Sequence, residues 1–169
     1  MDRSIEIGTS FIRIDTLTPC PSEKKGVHLY IIHIHVQLMI LTKDVLNELS
    51  KKAKSCEMLR THFDLRNSPE DQSQRMLNAM EPGTQVPIHR HPTTNEVVIL
   101  LRGSVKELIY DNEGNITDET ILKAGCEPNA MNIPAGTWHG LVCLEEGTIL
   151  FEAKDGPFAP RNEEDIMKV

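Results

Sequence analysis

From Gln74 to Lys154 the chain breaks into short runs of strand-forming residues, and nothing in that span keeps a helical period. The runs are QRMLNAM (74–80), VPIHRH (86–91), EVVILLRG (96–103), VKELIYD (105–111), ITDETIL (116–122), MNIP (131–134), HGLVCL (139–144) and TILFEAK (148–154). Glycine-bearing turns separate most of them, including DNEGN at 111–115, which reads as a hairpin loop. Many short strands without βαβ alternation, behind one helical pattern, predict an all-β barrel or sandwich. Val98, Leu100, Ile109, Ile121, Leu141 and Leu150 are the alternating apolar residues expected in its core.

Ahead of the strands, Thr42 is placed to cap a helix whose apolar stripe is Val45, Leu46, Leu49 and Ala53. Ser68 opens a further short helix or turn, because Ser-Pro-Glu-Asp supplies a cap, a first-position proline and early acids. In residues 1–36, SIEIGTSFIRI alternates loosely as an edge strand would, and TPCPSEKKG is rich in breakers. The expected organisation is an N-terminal extension (1–36), a helical lead-in (37–73), a barrel (74–160) and a C-terminal tail (161–169).

A chain of 169 residues buries a sizeable core in one domain without disulfides or metal as staples, so any metal serves chemistry or local order. The formal net charge of −7, with no basic stripe, argues against nucleic acid, whose backbone is bound by Lys and Arg. Cys20, Cys56, Cys126 and Cys143 lie far apart without a CxxC pair, which fits reduced thiols in a cytoplasm. The most apolar segment, LYIIHIHVQLMIL at 29–41, is too short for a membrane span of roughly 20 residues and is interrupted by His33, His35 and Gln37. It also starts too far from Met1 to read as a secretory signal. The expectation is a soluble cytoplasmic protein.

Within GTQVPIHRHPTTNEVVILLRG (83–103), strand alternation sends His89 and His91 to the same face, roughly 7 Å apart along the backbone. Glu96 follows the breaker-rich PTTN and can return to the same pocket on the next strand. His139, after the tight turn in PAGTWHG, is the fourth candidate. Three neutral imidazoles and a carboxylate suit one divalent transition ion (Fe, Mn, Co, Ni, Cu or Zn) with positions left for water or substrate. An isolated HxH pair is more often an ordinary surface pair, and His33 and His35, with no carboxylate at a suitable distance, are assigned that way.

The spacing of Gly83, His89, His91, Glu96 and Gly103 resembles the first motif of the cupin superfamily at every spaced position. Pro134, Gly136 and His139 resemble the core of the second, which departs upstream, where Pro128 stands for a glycine, and downstream, at Cys143. RMLNAMEPGTQVPIHRHP, PAGTWH, FEAKDGPFAP and the helix LTKDVLNELSKKA together resemble the WbuC family of cupin-fold metalloproteins, over about residues 37–160. The tryptophan-bearing tail of that family is replaced here by RNEEDIMKV. The resemblance implies a cupin-type double-stranded β-helix, a jelly-roll barrel with a short N-terminal helical segment, that binds metal in the setting of bacterial O-antigen sugar metabolism. It also implies a homodimer, since cupin barrels often pair by strand exchange.

Around this core, Arg75, Asn78 and Lys154 are the candidate substrate-binding residues, with Arg75 suited to hold an anionic group through its planar fork. Trp138 is assigned to packing, and Cys143 to the strand face of His139 without a neighbour that would make it a nucleophile. Two classes of function follow. One is a metal-dependent enzyme, an isomerase, epimerase or oxygenase, acting on a small sugar-related molecule. The other is a non-catalytic ligand-binding or regulatory domain stabilised by its ion, favoured by the lack of an evident acid/base pair in the sequence.

Overall fold

The computed structural model describes residues 39–168. The edge strand, the linker and the His33/His35 pair of the first 38 residues lie outside them.

Helix α1 (Lys43–Ser55) starts where the sequence places it: Thr42 Oγ1 accepts from the Val45 amide at 3.4 Å, and Asp44 and Lys52/Lys54 complement the helix dipole at the two ends. Its apolar stripe buries Leu49 and Ala53, with Val45 and Leu46 packed beside them. Eight strands follow: β1 (Arg60–Asp64), β2 (Ser73–Met80), β3 (Glu96–Arg102), β4 (Ser104–Tyr110), β5 (Ile116–Lys123), β6 (Ala130–Ile133), β7 (Trp138–Cys143) and β8 (Thr148–Asp155). They form an antiparallel five-stranded sheet, ordered β1-β2-β8-β3-β6, and a three-stranded sheet, ordered β5-β4-β7. Among the described residues this is the expected all-β jelly roll of cupin type, with one short α-helix in front.

Alternation decides what each face of the large sheet covers. Leu77, Ala79 and Ile149 point toward α1 and close one core with Leu49 and Ala53. Met80, Val98, Leu100 and Leu150 point between the sheets and meet Val105, Leu122 and Cys143 in a second core. Arg102 fastens the helix to the sheet, donating to Asn47 Oδ1 (2.8 Å), Leu46 O (3.1 Å) and Gly147 O (2.7 Å). Gly103 turns β3 into β4 at φ +72°, and a Cβ there would stand 2.9 Å from Thr148 Cα, so the position requires glycine.

Three expectations are corrected and one open alternative is resolved. Residues 60–64, inside the expected helical lead-in, form β1 and pair with β2. At Ser68, where the sequence allows a short helix or a turn, the chain makes the turn: Asp71 N donates to Ser68 O at 3.2 Å, and the Ser68 hydroxyl accepts from Glu70 N at 3.2 Å. VPIHRH makes no regular strand, because Pro87 has no N–H to give to a ladder, and only His89 bridges, to His139 and Ile166. Ile121 is 53% exposed while Leu122 is buried, because Leu122, not Ile121, lies opposite inward-facing Val105 on edge strand β5.

Candidate metal centre

The ligand candidates come from three places in the chain. His89 and His91 lie on the segment after Pro87, which is tied to β7 by reciprocal backbone bonds between His89 and His139 (2.9 and 2.8 Å). Glu96 begins β3 opposite Lys154 of β8, and His139 sits on β7 opposite Ile109 of β4. One donor atom from each of His89, His91, Glu96 and His139 falls within 4.8 Å of the others.

The ring orientations are fixed from behind. His89 Nδ1 lies 2.9 Å from Pro87 O, and His139 Nδ1 lies 2.9 Å from Thr137 O. A carbonyl only accepts, so each Nδ1 carries the proton and each Nε2 offers a lone pair. His91 Nε2 approaches Glu96 Oε2 to 2.7 Å and His139 Nε2 approaches it to 3.5 Å. Neither approach has hydrogen-bond geometry, and both nitrogens are buried without a partner. Lone pairs and a carboxylate converging in a buried space repel one another unless a cation sits among them. The donor set therefore fits one metal ion held by three imidazoles and one carboxylate, as the sequence spacing implies.

The electrostatics point the same way. Burial, then the Arg161 and His139 charges, drive the His89 pKa down to about 3, so this ring is neutral and ready to ligate. Burial pushes the Glu96 carboxyl up, but contacts with His139 and His91 and the nearby Lys154 charge outweigh it and hold it well below the usual range. Burial works against protonation of His139 too, yet the Glu96 carboxylate beside it leaves the ring's pKa raised. A divalent ion in the same place would replace that proton.

These ligands line a cavity of about 970 Å³ that opens between the sheets. Asn78 and Lys154 line it too: Asn78 Nδ2 donates to Glu152 Oε2 at 2.8 Å, while Lys154 binds Glu152 and reaches Glu96 Oε2 at 3.4 Å. Arg75 does not. Odd-numbered residues of β2 turn away from the cavity, and Arg75 is paired with Asp71 at 2.6 Å. Trp138 donates to Asn112 Oδ1 at 3.2 Å with Arg90 stacked 4.6 Å over its ring, and it does not line the cavity. Cys143 is buried in the apolar core with its thiol against Glu145 O, and Cys56, Cys126 and Cys143 are free thiols.

Three cavity residues escape a sequence reading. Glu107 is 1% exposed, its Oε1 has no partner, and burial followed by repulsion from Glu96 pushes its carboxyl up to about 8. The signal for it was parity: it shares a strand face with Val105 and Ile109. Arg60 and Arg161 also line the cavity, Arg161 from the segment after β8. The tail docks beside the ligand segment: Arg90 Nε donates to Asp165 Oδ1 at 2.9 Å, and Met167 N donates to Ile88 O at 2.9 Å.

A family profile described as a domain of unknown function, DUF6016, matches residues 41–122, which include His89, His91 and Glu96 but not His139. No curated protein matches the chain. Similar solved structures include KdgF from Halomonas sp. (TM-score 0.46, 17% identity, 62% of this chain and 83% of that one). Oxalate decarboxylase from Bacillus subtilis is another (TM-score 0.48, 20% identity), with 65% of this chain spanning 27% of that one. A recombinant oxalate oxidase in complex with glycolate is a third (TM-score 0.48, 15% identity, 61% and 54%). All three are cupin proteins. No helix among the described residues is long and apolar enough to cross a membrane.

Proposed function

We propose that this cupin barrel is a metal-dependent enzyme acting on a small polar substrate in bacterial cell-surface sugar metabolism. The observation that carries the catalytic reading is Glu107, a buried carboxyl with an unpartnered oxygen in the same cavity as the four ligands. In the metal-free chain burial and then repulsion from Glu96 raise its pKa to about 8, toward the protonated state that a general acid needs. The sugar setting rests on the WbuC-like segments RMLNAMEPGTQVPIHRHP, PAGTWH and FEAKDGPFAP.

When bound, a divalent ion in this donor set polarises a substrate oxygen or activates water. The chain's own groups divide the remaining work. The Pro87 and Thr137 carbonyls lock the tautomers of His89 and His139, and Glu96 lowers the net charge of the centre. Glu107 delivers a proton to substrate, or takes one from it, from the β4 side of the cavity. Asn78 and Lys154, coupled through Glu152, present donors on the β2–β8 side.

The second reading is a ligand-binding domain whose ion only relieves the repulsion among the ligands, and the buried unpartnered Nε2 atoms of His91 and His139 favour it. Elemental analysis of untagged protein, with its His91→Ala/His139→Ala and Glu107→Gln variants, separates the two. The wild type should carry close to one ion per chain and the double variant almost none. In a screen of sugar nucleotides, keto acids and diols, Glu107→Gln should keep its ion and lose turnover on the order of a hundredfold or more. Absence of turnover by the ion-loaded wild type would leave the binding reading standing, turnover unchanged by Glu107→Gln would remove Glu107 as the proton-transfer group, and full occupancy in the double variant would remove the metal centre itself.

A further inference from the structure

We infer that Arg161 is the anion-recognition residue of this cavity, and that the substrate carries a carboxylate or phosphate held by its guanidinium while another oxygen of the substrate faces the ligand set. The inference deepens the metal-dependent reading and rests on it.

Arg161 follows the turn after β8, where Gly156, Pro157 and Pro160 carry the chain back across the cavity mouth. Its side chain lines the same space as His89, Glu96 and Lys154, and its charge acts on all three. The other cationic side chains nearby are committed. Lys154 is bound to Glu152 and Glu96, Arg90 to Asp165, and Arg60 gives Nη1 to Gln85 O at 2.8 Å. Arg161 has no ion pair and no side-chain hydrogen bond among the described residues. It is solvent-accessible, yet crowded enough that burial, more than any neighbouring charge, lowers its pKa. An exposed guanidinium lining the cavity with its fork of donors unused is suited to bidentate capture of an oxyanion.

Charge balance across the cavity agrees. Apart from Glu107, the lining carries four Lys or Arg side chains (Arg60, Arg90, Lys154, Arg161) and four carboxylates (Glu96, Glu152, Asp155, Asp165). A divalent ion tips that balance to positive, in a chain whose net charge is −7. An anion is therefore drawn to this cavity although the molecule as a whole repels it.

Titration calorimetry on the full-length, zinc-loaded protein tests this, with malonate and inorganic phosphate as separate probes that distinguish a carboxylate from a phosphate preference. At least one should bind the wild type. Arg161→Ala should weaken that binding at least tenfold at unchanged zinc content, Arg161→Lys should restore only part of it, and Arg75→Ala should leave it as it was. Failure of both anions to bind the zinc-loaded wild type, or equal affinity in Arg161→Ala, overturns the assignment. Zinc content is read in the same samples, so a failure of the metal centre shows itself separately from a failure of Arg161.

Discussion

Strands β2 and β8 are used in opposite ways on their two faces. Toward α1 they present Leu77, Ala79 and Ile149, each 0% exposed, against Leu49 and Ala53. Toward the space between the sheets, neighbouring positions on the same strands present Asn78, Glu152 and Lys154, a polar triad beside a carboxylate and two imidazole nitrogens that lack partners. Burying a Leu or Ile completely is worth about 1.5–3 kcal/mol, whereas an unpartnered buried polar group costs about 1–3 kcal/mol. The helix-facing side thus supplies stability that the cavity-facing side partly gives back, and side-chain parity keeps the two apart on one backbone. Strain or repulsion at the centre is tolerated because the sheet that holds it is sealed from behind.

The sharpest break of that contrast is Leu77→Ala. Removing a fully buried side chain from the sealed face should cost about 2–5 kcal/mol in chemical denaturation, while ion content and ion affinity stay unchanged. Loss of the ion along with stability would show that the two faces are not separable. On the cavity side, metal-free protein should lose stability as pH rises. Below about 4.5 a glutamate is protonated in both folded and unfolded chains. Above that the unfolded chain releases the proton, while buried Glu107 retains it up to about 8, so the folded state is progressively disfavoured across this window. Melts from pH 4 to 9 should show a loss on the order of 5 kcal/mol from this group, absent in Glu107→Gln; an identical profile in the variant would remove Glu107 as its source. The smallest effect belongs to the end of α1. Thr42→Ala removes a long 3.4 Å cap and should lower stability by about 0.5–1 kcal/mol without touching the centre, as read by denaturant midpoint and ion content.

The sequence disclosed the ligands more readily than the rest of the cavity, and the reason is locality. His89, His91 and Glu96 sit within one turn-bounded stretch, and PAGTWH marks His139 by its tight turn, so spacing alone is informative. The cap at Thr42 and the stripe of α1 are local as well. The facing of Arg75 is not legible because QRMLNAM has no clean alternation: Met76 and Leu77 are both apolar and give no parity. Glu107 is hidden because a charged residue between Lys106 and Leu108 looks solvated, although Val105 and Ile109 on either side of it share its face. Arg161 could not be found from spacing, since only the return of the chain after β8 brings it over the ligands.

The docking of the tail bears on how the protein is handled. Arg90, between the two histidines of the first motif, is held by Asp165, and Ile88 just before them accepts from Met167. A polyhistidine sequence fused after Val169 would start a few residues from this docked segment and compete with the native imidazoles for the ion. Purification through such a fusion would alter the quantity one most wants to measure, the amount and kind of metal that the barrel acquires unaided.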